Sequence, residues 1–69
     1  MNNFENDDKK IKLLKRTTML LEKTKKNQNI YKEERKLLLK LTTDKTIDYE
    51  VWEKILDAIE ILIKRQEGE

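Results

Sequence analysis

Cysteine, histidine, serine and proline are all absent from this chain of 69 residues, and glycine occurs once, at Gly68. Without cysteine or histidine, no disulfide and no thiolate or imidazole metal site can staple so short a fold. The same absences, with serine missing as well, remove the usual nucleophile and base pairs of covalent and acid–base catalysis. No apolar run approaches the ~18 residues that a membrane span needs. The opening MNNFENDDKK lacks the basic-then-apolar order of a signal peptide. These absences lead us to expect a cytoplasmic, non-enzymatic protein with no cofactor, no metal, no small-molecule substrate and no membrane insertion. Asp44 and Asp48 flank a turn, but the calcium-loop pattern needs a run of oxygen ligands around a glycine, and none is there.

What is present is charge and aliphatic bulk in helical order. Charged residues make up 43% of the chain, Lys, Glu, Leu and Ile dominate, and no strand-like alternation is visible, which makes the class all-α. The abundance of Asn, Lys and Ile also fits an AT-rich genome, as in Gram-positive bacteria, their phages and plasmids. The whole is one domain near the lower limit for a self-sufficient core, and such chains gain buried area by association, so a homodimer is expected. Charge is uneven along the chain: residues 1–45 hold thirteen basic and seven acidic side chains, against three and seven in residues 46–69. An antiparallel pairing of the first and last helices would exploit that difference.

The last helix, over 47–66, carries the clearest pattern. At 100° per residue, Val51, Trp52, Ile55, Leu56, Ala58, Ile59, Leu62 and Ile63 share one half of the wheel, with Glu50, Glu53, Lys54, Asp57, Glu60 and Lys64 opposite. Asp48 is the expected N-cap, Ile47 and Trp52 stand at hydrophobic-staple positions, and Gly68 lies just past the end. Glu50–Lys54 and Glu60–Lys64 are spaced as i,i+4 pairs.

A first helix is expected over 6–25, capped by Asn6, after a flexible segment 1–5 from which Phe4 could fold back on the core. Its apolar stripe is Ile11, Leu14, Thr18 and Leu21, with Leu13, Thr17 and Leu20 on the shoulder, and Lys12, Lys15, Arg16, Lys23 and Lys26 on the far side. Carrying that stripe onward lands on Lys25, Gln28, Lys32 and Arg35, whereas Ile30, Leu37 and Leu41 are rotated by about 160° from it. The phase break places a turn at 25–29 and a second helix over 29–42, capped by Asn27 or Asn29, with Ile30, Tyr31, Leu37, Leu38 and Leu41 inward. The simplest closed solution is a three-helix bundle; a helical hairpin that dimerises into a four-helix bundle is the alternative and needs the first two helices to fuse.

Function enters through what breaks the amphipathic pattern. Leu39 and Ile61 stand on polar faces, as does Met19, while Tyr49 and Trp52 are residue types that anchor interfaces. Met19, Leu39, Tyr49, Trp52 and Ile61 are therefore the expected protein interface of a small regulator or inhibitor that binds another protein stoichiometrically through its helix faces. For Trp52, a place in the core is the competing reading. The second reading is a DNA- or RNA-binding regulator whose first helix offers Lys12, Lys15, Arg16, Lys23 and Lys26 to phosphates; in a helix-turn-helix form the second helix would enter the groove through Lys32, Arg35, Lys36 and Lys40, with the first as a backbone clamp. Acidic residues on the solvent side of the last helix would repel phosphates there.

Overall fold

The computed structural model describes residues 3–68, with side chains from residue 8. The chain is an all-α three-helix bundle: α1 spans Asn3–Lys23, α2 spans Lys32–Thr43 and α3 spans Tyr49–Gln66. α1 and α2 are not fused, so the hairpin alternative does not describe this chain. Residues 3–5 are already helical, which puts Asn6 inside α1 instead of at its cap; the Phe4 side chain lies outside the described residues.

α1 ends by tightening into a 3-10 turn over Thr24–Asn27, where the rise per residue increases and the side chains change phase. The Tyr31 amide then donates to the Asn27 carbonyl at 3.1 Å, and Tyr31 itself is the N-cap of α2, with no side-chain cap. Neither Asn27 nor Asn29 caps α2. Backbone bonding from the turn takes the place of a side-chain acceptor, and the whole reversal is made without positive φ at any non-glycine residue among those described.

The second connection is held by Asp44, whose Oδ1 accepts from the Thr46 amide (2.9 Å) and hydroxyl (2.7 Å). Those two bonds hold the Asp44 carboxyl below the usual carboxylate range. Asp48 is the N-cap of α3 with extended backbone, but its side chain makes no capping bond. The helix starts on the 2.9 Å bond from the Trp52 amide to the Asp48 carbonyl, and half-buried Ile47 packs on the core at the staple position. At the other end Gly68 takes φ +82°, a left-handed conformation that glycine adopts without penalty, and its amide reaches the Arg65 carbonyl.

The core is Leu13 and Leu20 of α1, Tyr31, Leu38 and Leu41 from α2 and its cap, and Trp52, Leu56, Ile59 and Ile63 of α3. Full burial of each such aliphatic side chain contributes roughly 1.5–3 kcal/mol. On α1 the buried line is thus Leu13, Thr17, Leu20 and Thr24, the row expected on the shoulder, while Ile11 and Thr18 of the expected stripe are exposed. Ile30, in the turn before α2, and Leu37 on α2 are likewise exposed where inward positions were expected. α1 packs against both other helices, and α2 and α3 touch one another least. Lys10 shares a hollow with Tyr49, whereas Arg16 reaches Asp57 and Glu60, so α1 and α3 run in the same direction and not antiparallel.

Candidate protein-binding surface

Trp52 belongs to the interior. It is 2% exposed, and its indole Nε1 donates to Thr17 Oγ1 at 2.9 Å, while Thr17 Oγ1 donates in turn to the Leu13 carbonyl at 2.7 Å. Tyr49 stands half-buried against it, ring centroids 6.2 Å apart in an edge-to-face arrangement. Trp52 is therefore not a contact surface, while Tyr49 stays partly exposed. Trp52 leaves the expected interface because α1 supplies the one partner its N–H needs.

Met19, Leu39 and Ile61 are exposed, one on each helix. They do not lie on one face: Ile61 points about 170° away from the buried row of α3 at 100° per residue. Met19 shares a shallow apolar patch on α1 with Ile11, Leu14 and Thr18, bordered by Lys15.

The basic face of α1 is broken up by its neighbours. Arg16 Nη2 donates to Asp57 Oδ1 at 2.8 Å and to Glu60 Oε1 at 3.3 Å, and the hydrogen bond to Asp57 raises the guanidinium above its ordinary value despite the opposing effect of burial. Glu60 therefore serves Arg16, and neither Glu50–Lys54 nor Glu60–Lys64 closes among the described residues. Lys12 lies 3.8 Å from Asp8 with both groups solvated, a pair worth little. Lys15, Lys23 and Lys26 are exposed. Arg35, read as a solvent-side cation, turns back instead: its Nη1 donates to the Leu21 carbonyl at 2.8 Å and to Thr24 Oγ1 at 3.1 Å. A cation at the C-terminal end of α1 also meets the negative end of that helix's dipole.

A surface that the sequence reading placed in the core lies between α2 and α3. Leu37, Ile55, Ala58 and Leu62 line an open cleft with Glu33 and Glu34 at its rim. The signal was present in the apolar half of α3, whose eight positions are more than three helices can cover. Among the described residues no buried side-chain nitrogen or oxygen lacks a partner, and no group of three or more Asp and Glu side chains is placed to hold a metal ion. No protein-family model, curated protein or solved structure matches this chain.

Proposed function

We propose that this chain is a small non-enzymatic regulator or inhibitor of the cytoplasm, acting by stoichiometric binding of its helix faces to another protein and to itself. One observation carries the reading. The core is closed and its polar groups are satisfied, yet eight large apolar side chains among the described residues remain 39–61% exposed. So many apolar side chains on so small a surface are a contact inventory. Occlusion of a partner's surface needs nothing more than such faces, with the surrounding charges steering approach.

The nucleic-acid reading is weakened by Arg16, whose charge is already met by two carboxylates. Affinity capture from the native host with the wild-type chain and with Met19→Lys, Leu39→Lys and Ile61→Lys tests the proposal. The expected result is a protein retained in stoichiometric amount by the wild type and lost with at least one variant. Retention of nucleic acid instead, released steeply by salt and abolished by Lys15→Glu with Lys23→Glu and Lys26→Glu, would overturn it.

A further inference from the structure

α3 carries two apolar rows. The inner row, Trp52, Leu56, Ile59 and Ile63, is buried; the outer row, Val51, Ile55, Ala58 and Leu62, repeats the same 4-3-4 spacing one residue earlier. That spacing is the seam of a helix with a second helical neighbour. Ile55, Ala58 and Leu62 of the outer row line the cleft beside α2 together with Leu37, and Val51 continues the row toward the start of α3; Val51 is 46%, Leu62 39% and Leu37 39% exposed.

We infer that a second copy of this chain covers the cleft, antiparallel, with α3 against α3 and α2 against α2. The inference rests on the exposed apolar side chains being contact surface, and it names which of them meet and what they meet. A two-fold axis between Ile55 and Ala58 sets Val51 against Leu62 of the second copy and Ile55 against its Ala58, so that bulk meets a small residue near the axis. The same axis pairs Asp48 at the start of α3 with Arg65 in the last turn of the copy. On α2, Glu33, Leu37 and Lys40 follow one another at 4-3 spacing. An axis passing between Lys36 and Leu37 brings Glu33 against Lys40 of the second copy, twice over. Glu33 and Lys40 take part in none of the ion pairs among the described residues. A parallel pairing would set Asp48 beside its own copy, Arg65 beside its own, and align the helix dipoles.

Sedimentation from low micromolar to millimolar concentration tests this. The expected result is a mass that doubles with concentration, and a dissociation constant raised at least about tenfold by Ala58→Lys, an exposed helical position that leaves the fold intact. Glu33→Lys weakens the dimer and Glu33→Lys with Lys40→Glu restores it. Because the chain has no cysteine, Val51→Cys mixed with Leu62→Cys forms a disulfide on mild oxidation and neither variant alone does. A folded monomer at every concentration overturns the inference while leaving capture of another protein to be judged by itself. A dimer split by Ile61→Lys but not by Ala58→Lys moves the interface elsewhere and also overturns it. A disulfide formed by Val51→Cys alone overturns the antiparallel arrangement.

Discussion

Thr17 joins the first and last helices through a single hydroxyl. It accepts from the Trp52 indole and donates to the Leu13 carbonyl, so both buried groups are satisfied within one turn of α1. In the sequence Thr17 and Thr18 look alike, two polar residues thinning an apolar stripe. The structure separates them: Thr17 is buried, and Thr18 bonds the Leu14 carbonyl at the surface. Thr17→Val keeps the shape and removes the acceptor, leaving a buried N–H unpaired, and is expected to cost about 1–3 kcal/mol in urea unfolding followed by circular dichroism. Made in a Trp52→Phe background the same change should cost far less, because the donor is already gone.

Between α1 and α2 the chain reverses without a turn residue of the usual kind. The expected phase shift put the break near the right residues, although four of the residues it used, Ile11, Thr18, Ile30 and Leu37, are exposed in the fold. It was not enough to place the helix start, which lies at Lys32 because burying Tyr31 and bonding its amide to Asn27 ends the turn there. Arg35 locks this joint from the far side by bonding the end of α1. Arg35→Met retains the aliphatic stem and loses both bonds, with an expected loss of about 1–2 kcal/mol. Hydrogen exchange should show the loosening first at the amides of residues 24–31, before the core of α3 is affected.

At the scale of the molecule the bundle is an elongated body of 43 × 22 × 17 Å. A helix in so thin a body buries a stripe on the order of 100° wide, and the apolar half of α3 exceeds that. The excess appears outside as Val51, Ala58 and Leu62. Global stability should also carry an alkaline limit. Burial, with Glu67 and Glu34 close by, pushes the Tyr31 phenol above its ordinary value of 10.0. A raised phenol keeps its proton in the fold after the unfolded chain has lost it, so this contribution is whole below pH 10 and drains away as pH rises through the folded value. Tyr31→Phe should therefore flatten the fall in melting temperature above that pH, read by thermal unfolding across an alkaline series.

The all-α class, the number of helices and their order follow from the spacing of apolar residues and the absence of strand-like alternation, because backbone periodicity is local. Local pattern could not choose between adjacent rows of the same helix. Leu13, Thr17 and Leu20 are inside and Ile11 and Thr18 outside on α1, and on α3 the row containing Trp52 is inside while the row containing Val51 is not. Turning a helix by about 100° leaves its own periodicity unchanged. The choice was made by contacts from other helices: the hydroxyl that meets the Trp52 indole, the carboxylates that meet Arg16, and the carbonyl that meets Arg35.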